Sequence, residues 1–499
     1  MANLFGQAWR AGLSLLLVPF YLRILGIEAW GLIGLYASLQ LALALLDGGL
    51  RPALARSAAR YLGGAMSVAE LRTLLRSAEC LLGGTTVLIV AIMALAAPWL
   101  ALHWVSPHQL GHAAVARAFT IMGFVAAAQL VESTVDSVLN GLQRQVLLNA
   151  ILTAMATLRS VGALAVLWVW PEVSAYFLWQ AAVSVLSLLT MRLAVHRSLP
   201  RAAGPVRFAW ASLAPIRGYA GGMLAIMAVT LMLGQADRYL LAWLVPLPEV
   251  GRYTLAASLA TSISFVTGPI VNAYFPRMTE LVARGDDAGL RRIVHLKTRL
   301  TALAAGTGMA MFVVFGQRLL AAWLQNAALA AEVAPLLALL AVGVMCSALM
   351  IVPFALQQAN GLTAPMLKLN LALLALFIPG LVAATRAYGT LGAAASFALL
   401  NAAGLLACAT MTFPRLLRGE TARWWLQDVL PTSAVLLGTA LVLRMVLPHP
   451  GGAIAEAVTL ALAAAVIASV GLVNDSTLRG GLLAWLRGRT VGVSDHASG

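Results

Sequence analysis

The chain has 499 residues, of which 61% are hydrophobic and only 10% charged. A soluble domain carries about a quarter charged residues, so this is a polytopic membrane protein. The net charge is +15, from 33 Lys and Arg against 18 Asp and Glu, but no basic domain gathers it, which excludes nucleic acid as a partner.

Apolar runs of about 20 residues, the length that crosses a ~30 Å hydrocarbon core, predict an all-α protein with fourteen membrane spans. Spans 1 and 2, at 5–25 and 31–50, form a hairpin about Gly26 to Gly31. No basic segment with a small-residue cleavage site accompanies the first run, so it is expected to remain as a helix. Arg10 and Asp47 fall at the same end of this hairpin, and Asp47 with Arg51 has the i,i+4 spacing of a helical salt bridge, the local pair expected there.

Spans 3 to 6 are predicted at 81–102, 115–139, 148–170 and 174–195. In span 4, Glu132 and Asp136 stack on one helical face. Unpaired, one of two such carboxylates tends to hold a proton, which makes both ion-coupling candidates, for H+ or Na+. Arg159 lies about eleven residues into span 5, near mid-membrane at 1.5 Å per residue. A charge there is most costly and usually faces protein or a water-filled cavity. Two readings stand: a substrate contact, or an interhelical pair with Glu132 or Asp136. The connector at 196–217, with GPVRFAWASLAPIRGYA, has the aromatic and basic pattern of an interfacial helix.

Span 7, at 218–245, carries the polar notch of Gln235, Asp237 and Arg238. Adjacent side chains diverge by about 100° on a helix, so Asp237 and Arg238 cannot both face one cavity, and at least one is a transport candidate. Span 8 is predicted at 253–276 and spans 9 to 14 at 299–322, 333–357, 369–386, 390–413, 428–447 and 453–473. All loops are expected to be short. Arg318 and Arg444 lie near span ends and read as interfacial anchors. Asn140-Gly141 and Asn360-Gly361 end spans 4 and 10, where both residue types tolerate the left-handed conformation that caps helices, so structural turns with hinge capacity are expected. Pro19, Pro269, Pro353 and Pro379 fall within spans and predict kinks. Cys80, Cys346 and Cys408 lie in apolar runs without metal or disulfide spacing and read as small core residues. The tail segment LRGGLLAWLRGR reads as surface-lying, with Leu and Trp toward lipid.

An internal repeat appears at an offset of 220: GLIGLYASLQ from Gly31 matches GRYTLAASLA from Gly251 at five of ten positions, and Asn140-Gly141-Leu142 falls on Asn360-Gly361-Leu362. Six helices per copy leave both copies in one orientation, so two parallel lobes are expected, at 1–200 and 201–413, with spans 13 and 14 at 414–473 and a tail at 474–499. Parallel repeats of this kind support alternating access in transporters. Of the 33 Lys and Arg, 24 lie after even-numbered spans or in the tail and four at the opposite ends. Cytoplasmic loops carry that excess, so both termini are expected in the cytoplasm.

The opening PFYLRILGIEAWGLIGLYASLQLALALLDGGL, LNGLQRQ from Leu139, ADRYLLAWLVPLPEVGRYTLA from Ala236, FPRMTELVARGDDAGLRRI and QQANGLTAPMLKLNLALLALFIPGLVAATRAYGTLGAAASF together resemble the bacterial polysaccharide flippases. These are the lipid-linked oligosaccharide (O-antigen) translocases of the multidrug/oligosaccharidyl-lipid/polysaccharide exporter superfamily, and the resemblance covers most of residues 1 to 413. It implies a non-enzymatic, two-lobed bundle in the bacterial inner membrane. That bundle would move undecaprenyl-pyrophosphate-linked repeat units to the periplasmic leaflet, alongside membrane lipids, a polysaccharide polymerase and a chain-length regulator, without a bound cofactor. An anionic diphosphate needs fixed positive charge, and the planar guanidinium of Arg binds phosphate oxygens bidentately. Arg159, Arg10 and Arg238 are therefore the substrate-binding candidates. The alternatives are a cation-coupled multidrug exporter or a peptidoglycan-precursor flippase of the same superfamily. More remote is a membrane polymerase or glycosyltransferase, for which no clustered metal motif or Gly-rich phosphate loop is seen.

Overall fold

The computed structural model describes residues 2–44, 46, 49–200, 206–362 and 364–480, and all their regular elements are helical. Ten helices among the described residues are long and apolar enough to cross a bilayer, and eleven if the bent pair Leu247–Ile270 and Ala273–Arg284 counts as one span. Among the described residues the fourteen predicted spans fall on helical segments, which is compatible with that number of crossings. The chain divides into two compact units, Met1–Thr254 and Leu255–Gly499.

The first unit contains α1 (Ala2–Leu16), α2 (Val18–Ala44), α3 (Leu50–Leu62), α4 (Val68–His103), α5 (His112–Gly141), α6 (Gln145–Val169), α7 (Val173–Ser198), α8 (Trp210–Leu244) and the start of α9 (Leu247–Thr261). Gly26, at φ 80°, breaks α2 where the predicted hairpin turns. The connection to α4 is not the short loop expected. It holds the amphipathic helix α3, which buries Leu50, Leu54 and Ala58 at four-residue spacing and leaves Arg51 and Arg56 outward. Ser67 then caps α4, accepting from the Glu70 N–H while the Glu70 carboxylate accepts from the Ser67 N–H at 2.8 Å. On the far side, Glu28 accepts from the N–H groups of His108 and Gln109 at 2.7 and 2.8 Å and fastens the α4–α5 connection. The 210 end of the predicted interfacial connector is already part of α8, one continuous helix, while 201–205 lie outside the described residues.

The repeat announced at Gly31 and Gly251 is visible as packing. A Cβ on Gly31 would lie 2.7 Å from the Leu247 carbonyl oxygen, and one on Gly251 would lie 2.1 Å from that of Ile27. Residues 27 and 247 are themselves 220 apart, so each copy makes with the other the contact it receives, the reciprocal pattern of a twofold interface. Gly34 meets its own counterpart, Thr254, with a Cβ-to-Oγ1 distance of 2.4 Å. Small residues allow this approach of two membrane helices.

The second unit contains the end of α9, α10 (Ile263–Arg284), α11 (Asp287–Leu324), α12 (Ala327–Ala359), α13 (Ala364–Leu416, broken at Gly389 with φ 60°), α14 (Glu420–Arg423), a π-helical turn at Trp424–Val429, α15 (Leu430–Val446) and α16 (Ala453–Asn474). The break in α13 separates predicted spans 11 and 12. Pro269, Pro353 and Pro379 lie inside helices as expected. Spans 13 and 14, outside the repeat, are held to α11 by an apolar core of Phe315, Leu436, Ala440, Leu460 and Ile467. An ionic knot closes one end of this seam: fully buried Asp428 accepts from His295 and, at 2.6 Å, from Arg299 Nε, while Glu420 pairs with Arg291 at 2.8 Å. At the other end Arg318 is no simple anchor. Its Nε lies 2.6 Å from Glu456 and its Nη2 donates to the Pro448 carbonyl, since α16 brings a carboxylate against it.

Candidate functional site

The sequence marked single charges; the structure gathers polar residues from four helices of the first unit. On α5, Gln129, Glu132 and Asp136 recur at the three- and four-residue spacing of one helical face. Ser184 and Ser187 on α7 face that stripe, Tyr36 and Gln40 approach from α2, and Arg159 comes from α6. Arg159 is fourteen residues beyond Gln145, where α6 begins, or about 21 Å along a helix about 37 Å long, so it stands near the middle of that helix.

Its Nη2 donates to Ser184 Oγ at 3.3 Å and lies 3.9 Å from Glu132 Oε2, close enough for charge attraction and too long for a hydrogen bond. The other Glu132 oxygen accepts from Ser187 Oγ at 2.5 Å. Gln129 Nε2 donates to Ser184 Oγ at 3.4 Å and Tyr36 Oη at 3.3 Å, and Gln40 Nε2 donates to both Tyr36 Oη and Gln129 Oε1. Arg159 is thus tethered and not neutralised in a tight pair. Its side chain keeps 27% of its accessible surface while Glu132 keeps 10%, and its Nε is buried with no acceptor. Of the two readings of Arg159, the Glu132 pair is present, with donors to spare.

Asp136 does not share that site. Its carboxylate lies 4.0 Å from Arg51, whose Nε donates to the Ser133 carbonyl at 3.0 Å. Left-handed Gly49, φ 83°, caps the start of α3, which places Arg51 in its first turn. Arg51 turns from there to α5; Asp47, its expected partner, lies outside the described residues. Arg10 sits part-exposed on α1, with no ion-pair partner among the described residues. The same helix docks on the Arg159 helix through Trp9 Nε1, which donates to Thr157 Oγ1 at 2.9 Å.

Asp237 and Arg238 diverge as adjacent helical residues must. Asp237 is buried and accepts from Tyr253 Oη at 2.5 Å, leaving its Oδ1 buried without a partner. Arg238 Nη1 turns back to Gln235 Oε1 at 3.3 Å, and the same oxygen accepts from Ser38 Oγ at 3.0 Å. Ser38 lies between Tyr36 and Gln40 on α2, so the Gln235–Arg238 notch and the Arg159 cluster are served by one stretch of helix.

The two Asn-Gly turns differ. Gly361 is left-handed, φ 71°, as a helix cap requires, whereas after Asn140 the left-handed residue is Gln143, φ 57°. Gly141 stays helical, and it is a glycine for another reason: a Cβ there would lie 2.2 Å from the Ala55 carbonyl of α3. Among the cysteines Cys408 is buried as expected, but Cys80 is exposed, on the open face of α4. Lys297, counted among loop cations, is fully buried in α11 with the Met278 sulfur 3.9 Å from its Nζ. Unmarked in the sequence were Gln129, Ser184, Ser187, Tyr36 and Gln40; their signal is polarity within otherwise apolar runs, four of them at helical spacing with a neighbour.

The family description "Polysaccharide biosynthesis protein" matches residues 1–282. No protein of curated function matches the chain. Among solved structures, the lipid II flippase MurJ in an inward closed conformation is 12% identical, with 98% of this chain and 99% of that one covered and a TM-score of 0.69. An inward-facing multidrug resistance MATE family transporter of the MOP superfamily is 13% identical over 85% and 96% of the two chains, with a TM-score of 0.63. The MATE multidrug transporter DinF-BH, in complex with R6G, is 14% identical over 85% and 95%, with a TM-score of 0.58. At these identities the likeness is one of fold. All three are named as flippase or transporter and none as an enzyme.

Proposed function

Because this chain belongs to the polysaccharide biosynthesis protein family and has a fold shared with MOP-superfamily transporters, we propose that it is a flippase for lipid-linked oligosaccharides. Its substrate is an undecaprenyl-pyrophosphate-linked repeat unit, carried from the cytoplasmic to the periplasmic leaflet of a bacterial inner membrane by alternating access of repeats 1–200 and 201–413. The O-antigen unit, cytoplasmic termini, and service to a polymerase and a chain-length regulator belong to the same proposal.

The observation that carries it is Arg159. A guanidinium held near the middle of its helix, partly accessible, loosely paired and with an unused Nε–H, suits a diphosphate better than lipid, where an Arg costs roughly 2.5–3.5 kcal/mol on insertion scales. Arg10 and Arg238 are further cationic contacts along the route. A cationic drug would instead favour carboxylates, and Glu132 and Asp136 are each already beside an arginine.

The test is transfer of a fluorescent undecaprenyl-pyrophosphate oligosaccharide across vesicles containing the purified protein. Arg159→Gln is expected to lower the rate at least tenfold, equivalent to about 1.4 kcal/mol of lost stabilisation, and Arg159→Lys to give an intermediate rate. Transport of cationic dyes without glycan-lipid transfer would instead establish a drug exporter.

A further inference from the structure

On another face of α5 and α7 from the Arg159 cluster, these helices and the arginine-bearing start of α4 line a cleft of about 170 Å³. Its rim is charged. Glu79 on α4 lies 3.1 Å from Arg192 Nε on α7 and 3.9 Å from Arg76 Nη1, so one carboxylate serves two guanidiniums. Arg76 and Arg192 keep 51% and 45% of their side-chain surface. Arg72 adds a third positive charge nearby, its own donors committed to the carbonyls of Leu199 and Pro200 just past the end of α7.

The floor is apolar, made by Val131 and Val135 on α5 with Leu188 and Leu189 on α7. Leu188 and Leu189 precede Arg192 by about one helical turn, on the side that enters the predicted span. Along the membrane normal the cleft thus passes from cationic rim to greasy floor, and Leu189 is 57% exposed. This gradient has the polarity of a phospholipid, phosphate outward and acyl chain inward. Basic pockets between membrane helices recognise anionic headgroups in this way.

We infer that this cleft is a binding site for an anionic glycerophospholipid of the surrounding leaflet, whose phosphate bridges Arg76 and Arg192 and whose acyl chain lies on Leu188, Leu189, Val131 and Val135. The lipid phosphate completes a rim that Glu79 leaves with an excess positive charge. The site does not include Arg159 and stands whether or not the cargo is a glycan lipid.

Cys80, exposed and part of the cleft lining, is a built-in reporter. The full chain is reconstituted in phosphatidylcholine vesicles with or without phosphatidylglycerol, treated with N-ethylmaleimide, and scored at Cys80 by peptide mass spectrometry. Phosphatidylglycerol is expected to slow modification roughly fivefold or more, the factor that one arginine's attraction to an anionic surface supplies. The difference should vanish in Arg76→Gln/Arg192→Gln and persist in Arg76→Lys/Arg192→Lys. Arg76→Gln alone, at a side chain half exposed, gives a second reading if the double variant folds poorly. Equal rates in the two lipids, or slowing retained in the Gln variants, overturns the site; equal protection by inorganic phosphate in phosphatidylcholine vesicles shows a small-anion site and overturns the lipid.

Discussion

Glu132 and Lys297 show how differently a membrane protein can keep a charge. Glu132 is surrounded by donors, with Ser187 at 2.5 Å and Arg159 at 3.9 Å, so removing its charge alters what Arg159 is offered. If Glu132 couples transport to an ion, Glu132→Gln uncouples glycan-lipid movement from an imposed H+ or Na+ gradient while passive exchange survives; a vesicle assay with and without the gradient reads this, and unchanged gradient dependence rejects the role. Among the described residues, Lys297 finds a thioether as the hydrogen-bond partner of its ammonium. Burying a polar group without a proper partner costs about 1–3 kcal/mol by mutational measure, so Lys297→Met is expected to raise the midpoint of thermal unfolding by a few degrees. Sequence made Arg159 and Glu132 legible because charges stand out in apolar runs. It could not separate them from Asp136, since the choice between two carboxylates one turn apart depends on where α3 brings Arg51.

At the scale of elements, periodicity and length made the all-helical membrane architecture legible, because a run of apolar residues long enough to cross a bilayer has few alternatives. What it missed are pieces defined by neighbours. The helix α3 has too short an apolar stripe to register, and the π-helical turn before α15 carries Asp428, whose partners His295 and Arg299 lie far away in the sequence. The α2–α9 crossing was half visible, as a repeated glycine without a reason for it. The packing supplies the reason: a Cβ on Gly251 would fall 2.1 Å from the Ile27 oxygen. Backbone cannot yield as a side chain can, so Gly251→Val is expected to lower the yield of folded protein in detergent, measured by size-exclusion profile, whereas Gly83→Val on α4, where nothing lies within 4 Å, is expected to be neutral.

For the whole molecule, the proposed orientation rests on arginine placement and predicts that, with Cys80, Cys346 and Cys408 replaced by Ser, single cysteines introduced at Arg60 or Arg284 react with a membrane-impermeant maleimide only after the membrane is opened, and one at Arg386 reacts in intact spheroplasts. Duplication also has an outcome at Gly34 and Thr254, which meet face to face. In a pair of identical subunits, any residue at that position confronts itself, so a larger side chain on one side means an equally large one on the other. A single chain has no such constraint: here one position carries only hydrogen and its counterpart a hydroxyl and a methyl. The joined chain can thus hold an asymmetry that paired identical chains cannot.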